Sequence, residues 1–92
     1  MSNLDLILTN TEIALKIATQ FKHLRKLRHI SQKDLATQSG ISYGSIKRFE
    51  QTGEVSFSSL IKLAQILGAV DEFLKLFSSY EYKSIEEAIN DK

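Results

Sequence analysis

The chain has 92 residues, of which 25% are charged, with no cysteine and a formal net charge of +1. A single domain of this length buries a modest hydrophobic core and leaves no room for a second, catalytic domain. The absence of cysteine excludes disulfide bonds and thiolate metal sites and suits a reducing compartment, so we expect a cytoplasmic protein.

Charge is distributed unevenly along the chain. Residues 16–48, which we call the basic stretch, contain one acid, Asp34, and eight bases: Lys16, Lys22, Arg25, Lys26, Arg28, Lys33, Lys47 and Arg48. Residues 71–92 contain six acids and three bases. A basic half of this kind can bind phosphate groups although the whole chain is close to neutral.

Residues 1–9 form the predicted N-terminal arm. Leu4, Leu6 and Leu8 alternate with other residues, which is a weak strand pattern, and Ile7 interrupts it. Such an arm could pair with a second copy of the chain or cover the core of its own chain. The pattern does not choose between the two.

The first helix is predicted over residues 10–28. Thr9 and Glu12 have the spacing of a capping box, which marks a helix start. Apolar residues recur every three or four positions and predict its buried face, namely Ile13, Ile17, Phe21 and Leu24.

Two short helices separated by a tight turn follow. Ser31 and Gly40 are the expected start and stop signals of the first, over residues 32–39, and Ser42 is the expected cap of the second. Five side chains are predicted to point inward: Leu35, Ala36, Ile41, Ile46 and Phe49. Four are left outward: Tyr43, Gly44, Lys47 and Arg48. This layout is typical of a helix-turn-helix that reads DNA.

The remaining predicted elements complete an all-α chain. Ser56 and Gly68 bound a fourth helix with Leu60, Leu63, Ala64 and Leu67 buried. Asp71 is the expected cap of a short fifth helix carrying Phe73, Leu74 and Phe77. We therefore divide the chain into an arm (residues 1–9), a DNA-binding domain (10–77) and a C-terminal tail (78–92), where Ser84 and Glu87 have capping-box spacing for one more short helix.

Residues 19–76 resemble the lambda-repressor-like, or XRE-type, helix-turn-helix domains. The matching segments, in order, are SQKDLA, the SGIS turn, IKRFE and LIKLAQILG. The resemblance implies a five-helix all-α bundle that binds operator DNA in the major groove, usually as a homodimer, and that needs no cofactor or metal.

The resemblance also implies which residues would contact DNA. Gln32 matches a residue that contacts a phosphate and braces the recognition helix. Tyr43, Gly44 and Arg48 match positions near base edges, and arginine suits a guanine because its paired donors meet two acceptors together. Ser42, Ser45 and Lys47 match positions near the sugar-phosphate backbone. Arg25 and Glu50 match a buried structural ion pair.

Within this family the segment from residue 48 to residue 77 is most similar to HipB-type antitoxins, which repress their own promoter and bind a kinase-like toxin. We therefore expect a non-enzymatic repressor of a type II toxin-antitoxin system. The alternatives are a restriction-modification controller, a small phage repressor, and a protein-binding module of the same fold without DNA function. An enzyme is not supported, because no nucleophile with a partner base, no paired carboxylates and no glycine-rich phosphate loop is present.

Overall fold

A computed structural model of the chain describes residues 7–80, and all regular elements in this part are helical. Five α-helices follow one another: α1 (Asn10–Leu27), α2 (Gln32–Ser39), α3 (Tyr43–Thr52), α4 (Phe57–Leu67) and α5 (Val70–Leu74). A 3-10 turn at Ser78–Tyr80 completes the described part. This architecture confirms the predicted all-α bundle of the lambda-repressor-like type.

Hydroxyl side chains start four of the five helices. Thr9 and Glu12 form the complete capping box at α1, and the hydroxyl of Ser31 accepts a hydrogen bond from the amide of Asp34 at 3.0 Å. Ser42 and Ser56 accept in the same way at α3 and α4. These caps satisfy amide hydrogens that have no partner inside the helix. The predicted starts of these four helices are therefore confirmed.

The fifth helix begins differently from the prediction. Its N-cap is Ala69, with no capping side chain, and Asp71 lies one residue inside the helix, which begins at Val70. The predicted cap at Asp71 is therefore wrong. The carboxylate of Asp71 is in the first turn, where it faces the positive end of the helix dipole without capping it.

The core lies where α1, α2, α3 and α4 meet. It is built from seven buried residues: Ala18, Phe21, Leu35, Ile46, Phe49, Leu63 and Leu67. The rings of Phe21 and Phe49 pack edge to face with their centroids 5.1 Å apart, which joins α1 to α3. Leu35, Ile46 and Phe49 are buried as predicted, and Ala36, Ile41 and Leu60 pack around them half-buried.

The predicted buried face of α1 is wrong in its N-terminal half. Ile13 and Ile17 are 39% and 49% exposed, whereas Ala18, Phe21 and Arg25 are buried. The buried stripe thus passes through an alanine, because α3 approaches α1 closely at this point. One turn before Ala18, the chain at the end of α3 is even closer: a Cβ atom placed on Gly53 would be 2.6 Å from the Cβ of Ala14.

The apolar residues predicted for α5 are also more exposed than expected. Phe73 is half-buried and packs edge to face on Phe57 at 6.0 Å. Leu74 and Phe77 are each 73% exposed, and Phe77 follows the helix with a φ of 64°. A five-residue helix presents little more than one turn, so it cannot turn all three side chains onto α4.

The arm and the tail fall mostly outside the described residues. Residues 1–6 and 81–92, including the predicted helix start at Ser84, are not among them. Ile7, the first residue described, is helical rather than extended, so the strand pattern does not hold there. Among residues 7–80, no helix is both long enough and apolar enough to cross a membrane.

Candidate DNA-binding interface

The pair of helices α2 and α3 is held by its inner face and leaves its outer face uncovered. Leu35, Ile46 and Phe49 bury that inner face completely, and Gly40, with a φ of 75°, makes the turn between the helices. Tyr43, Gly44, Lys47 and Arg48 are all exposed, on the side of α3 that faces away from the core. The four outward positions predicted from the sequence therefore share one exposed surface.

Two serines shape the start of α3. The hydroxyl of Ser42 accepts a hydrogen bond from the amide of Ser45 at 3.1 Å, and the two hydroxyls hydrogen-bond to each other at 2.7 Å. Both residues are exposed. Ser42 thus caps the helix and retains enough exposure to approach an anion as well.

The ring of Tyr43 contacts two lysines from different helices. The ammonium nitrogen of Lys47, one turn further along α3, lies 4.9 Å from the centroid of its ring, and that of Lys33, on α2, lies 5.6 Å away. Both distances are within the range of a cation–π interaction. The tyrosine ring consequently links α2 to α3 on the exposed side. It also holds two positive charges close together there.

Arg48 has a charged neighbour that the sequence reading did not identify. One of its terminal nitrogens donates to a carboxylate oxygen of Glu54, in the loop that follows α3, and both side chains are well exposed. The pair lines a shallow hollow between α3 and the start of α4, together with Ser45, Val55, Ser56 and Ser59. The residue expected to read a base is thus already paired in the free protein.

Arg25, Gln32 and Glu50 form one buried network behind the exposed face. Arg25 donates to both carboxylate oxygens of Glu50, at 2.7 and 2.9 Å, and to the carbonyl oxygen of Ile30 at 2.9 Å. The Arg25 and Glu50 side chains are 8% and 2% exposed. The amide nitrogen of Gln32 donates to Glu50 at 2.9 Å, so three helices meet at one carboxylate.

The network favours the ionised form of Glu50. Burial by itself raises the pKa of this carboxyl, but the hydrogen bonds from Arg25 and Gln32 and the positive charges of Arg25 and Lys22 outweigh it and lower the pKa below its ordinary value. Gln32 is half-buried with its amide turned inward. The contact by which Gln32 is expected to brace α3 is therefore present, and this part of the side chain points toward the core.

The basic stretch separates into structural and exposed charges. Arg25 is buried in the network, and Arg28 donates to the carbonyl oxygen of Leu67 at 3.0 Å, which ties α1 to the end of α4. In residues 7–80 the two salt bridges are Arg25–Glu50 and Arg48–Glu54. Five exposed lysines of the stretch carry positive charge without a salt bridge there: Lys16, Lys22, Lys26, Lys33 and Lys47.

Two residues of this surface were missed by sequence reasoning. Lys33 belongs to the predicted first motif helix, but only the packing of α2 against α3 brings it to Tyr43. Glu54 lies six residues after Arg48, a spacing that no helical periodicity pairs. The signal for Glu54 is Gly53, which turns the chain back with a φ of 82°.

Comparisons with known proteins agree with the fold. A family model described as helix-turn-helix, HTH_3, matches residues 21–73, which is more than half of the chain. Searches of curated proteins and of solved structures gave no match. The matched residues include the two motif helices, the turn between them, α4 and most of α5.

The family consists of DNA-binding domains of the XRE type without enzymatic activity, in agreement with the interpretation of the sequence. An uncovered face on α3, a buried network that orients it and the family match over the same residues point to one conclusion. The chain belongs to the HTH_3 helix-turn-helix family of DNA-binding transcriptional regulators.

Proposed function

We propose that this protein is a sequence-specific repressor that inserts α3 into the major groove of operator DNA. The observation that carries the proposal is the exposed face of α3, where Tyr43, Lys47 and Arg48 stand outward while the opposite face is buried. A helix of this kind fits the major groove, and its exposed side chains then face base edges and phosphates.

We assign the following contacts to this mode of binding. Arg48 would donate to a guanine, while Tyr43 and Gly44 lie close to the base edges. Ser42, Ser45 and Lys47 would contact the sugar-phosphate backbone. Gln32 would donate to a phosphate through the second N–H of its side-chain amide, which its contact with Glu50 leaves unused.

We further propose that the repressor binds as a homodimer. A two-fold axis would place the two α3 helices in successive major grooves, with half-site centres about 34 Å apart or a multiple of that spacing. Apolar side chains on the side of α4 and α5 support this assembly, because Phe57, Leu74 and Phe77 are 63%, 73% and 73% exposed. The ring of Phe57 packs on Phe73, the neighbour of Leu74 in α5, and adjacent exposed apolar side chains are a common feature of protein interfaces.

The finer proposal is that the protein is the antitoxin of a HipA/HipB-type pair, repressing its own promoter and binding a kinase-like toxin. Its support is the likeness of residues 48–77 to HipB-type antitoxins. Expression of the adjacent gene alone should arrest growth, and co-expression of this protein should restore it. Growth that is unaffected by the adjacent gene would instead favour a phage repressor or a restriction-modification controller.

DNA binding is tested by selecting bound duplexes from a random pool and then measuring affinities for the selected and for unselected DNA. Arg48→Ala should cost roughly 1–3 kcal/mol on selected DNA and relax the preference at one base pair per half-site. Lys47→Ala should instead weaken binding to both DNAs alike and flatten its salt dependence.

Equal losses on selected and unselected DNA for Arg48→Ala would remove Arg48 from base recognition. A wild-type protein that binds no duplex even at low salt would favour the alternative of a protein-binding module with this fold. A DNA-reading domain with five exposed lysines must show nonspecific affinity under those conditions.

A further inference from the structure

The pairing of Arg48 with Glu54 raises a question about specificity, since a carboxylate is an unfavourable group on a surface that must approach DNA phosphates. Both side chains are largely exposed, at 66% and 63%. The two residues lie on the α3–α4 side of the exposed face, beside Ser45 and Ser56. Glu54 therefore places a negative charge directly beside the residue proposed to read a base.

The position of Glu54 is fixed by the backbone as well as by Arg48. The hydroxyl of Thr52 donates to the carbonyl oxygen of Arg48 at 2.7 Å and accepts from the amide of Glu54 at 3.1 Å. Gly53 donates to Phe49 at 2.7 Å and contacts α1 closely. The loop thus holds Glu54 near the end of α3 in a defined conformation. Its carboxylate therefore lies close to the guanidinium of Arg48.

The geometry leaves most donors of Arg48 free. A guanidinium has five N–H groups, and the contact with Glu54 uses a single terminal nitrogen. A pair of donors on another edge remains available for the two acceptors of a guanine. By contrast, a phosphate brought to the same arginine would lie near the Glu54 carboxylate and be repelled by it.

We propose that Glu54 is a positioning residue that determines specificity: it orients Arg48 for a base edge and disfavours the use of Arg48 as a phosphate contact. The inference rests on the proposed DNA-binding function and extends it. Glu54 improves the preference for the operator over other DNA, and it does so by weakening binding to DNA that offers Arg48 only phosphates. The competing explanation is a solvated surface pair, which contributes little and is screened by salt.

The test compares wild type with Glu54→Gln, which keeps the shape of the side chain and removes its charge. The probes are the duplex that wild type selects from a random pool and an unselected duplex of equal length. Affinity for unselected DNA should rise by roughly three- to tenfold, and the ratio of the two affinities should fall by about tenfold, the value of one oriented base contact. The salt dependence on unselected DNA should steepen by about 0.9 in log–log slope, equivalent to one added phosphate contact.

A matched control is Glu12→Gln, an equal change of charge at an exposed residue of α1 where a glutamine oxygen can still accept the hydrogen bond from the amide of Thr9. It should change the affinities for both duplexes by the same factor and leave their ratio unaltered. In the background of Arg48→Ala, Glu54→Gln should no longer change the ratio, because the residue that Glu54 orients is absent. Matching thermal melts for all variants would show that folding is not responsible.

Three results would overturn the inference. If Glu54→Gln raises both affinities equally, as the control does, Glu54 contributes only net charge. If the effect of Glu54→Gln on the ratio persists without Arg48, the carboxylate acts by another route. If wild type selects no sequence, the proposed function fails together with the inference, whereas the first two results leave the proposed function intact.

Discussion

Glu50 illustrates how a single side chain positions the recognition helix. Its carboxylate is 2% exposed and accepts hydrogen bonds from Arg25 on α1 and Gln32 on α2, although the residue itself belongs to α3. An ion pair removed from water gains little net free energy, but losing one partner leaves the other charge buried and uncompensated. The main contribution of the intact network is therefore to the orientation of α3, and its net contribution to stability is small.

Replacing Glu50 with alanine should destabilise the fold by about 3–5 kcal/mol, because the Arg25 guanidinium is then left buried without its counter-charge. Chemical denaturation at neutral pH measures the change. Glu54→Ala is the control, since it removes the same residue type from an exposed salt bridge. It should alter the free energy of unfolding by less than about 1 kcal/mol. Equal effects of the two substitutions would contradict the buried character of the first pair.

The lowered pKa of Glu50 gives its stabilisation a defined pH dependence. Its folded-state pKa is below that of the unfolded chain, so its contribution is complete above the ordinary glutamate pKa of about 4.3 and is lost as the pH falls through the folded value. Denaturation of wild type and Glu50→Gln from neutral pH to about pH 3 measures this. The wild type should lose more stability over the acid part of that range. Parallel curves would show that another carboxylate dominates.

Tyr43 should act through its ring rather than through its hydroxyl. The ring gathers Lys33 and Lys47, so Tyr43→Phe should keep the salt dependence of binding to unselected DNA. Tyr43→Leu releases both lysines and should flatten that dependence by up to about 1.8 in log–log slope, the equivalent of two phosphate contacts. Fluorescence anisotropy titrations at several salt concentrations provide the slopes. If phenylalanine and leucine behave alike, the ring has no such effect.

At the scale of the elements, the contact between α1 and α3 determines where the reading face points. The contact is close because small residues occupy it: Ala14 and Ala18 on α1 and Gly53 at the end of α3. Further along the same two helices, the rings of Phe21 and Phe49 pack edge to face. The orientation of α3 therefore depends on the small residues as much as on the large ones.

Gly53→Ala should be much more destabilising than Gly40→Ala. Both glycines have a positive φ, of 82° and 75°, so both substitutions carry a similar backbone strain of roughly 1–2 kcal/mol. A Cβ atom has open space at Gly40, but at Gly53 it would meet Ala14 at 2.6 Å. The resulting displacement of α3 should add about 1–3 kcal/mol. Thermal or urea denaturation of both variants tests the difference, and equal losses would exclude the close contact.

At the scale of the whole molecule, local signals in the sequence predicted the helices well. Ser31, Ser42 and Ser56 cap helices as expected, because a cap is a hydrogen bond within three residues and needs no tertiary context. The glycines at positions 40, 53 and 68 follow helix ends for a similarly local reason. The outward set on α3 also followed from periodicity alone.

Features that depend on distant parts of the chain could not be read in this way. The apolar pattern of α1 indicated Ile13 and Ile17, but the helix is buried along Ala18, Phe21 and Arg25, where a neighbouring backbone approaches. Helical periodicity identifies an apolar stripe without indicating how close a partner comes. The partnership of Arg48 with Glu54 depends in the same way on the direction in which the loop leaves α3.

The helix α3 is fixed at both ends, and this affects how the DNA preference of the protein can change in evolution. Ser42 caps its start, Gly53 ends it, and Ile46, Phe49 and Glu50 hold its inner side, so the outer positions have no part in the core. Substitutions at such positions usually change stability by no more than about 0.5 kcal/mol. If the outer positions read DNA as proposed, folding and DNA preference are encoded by different residues of one ten-residue helix. In the proposed mode of binding, a lineage carrying this scaffold can diverge in operator sequence by mutation at positions 43, 44 and 48 while every intermediate remains folded.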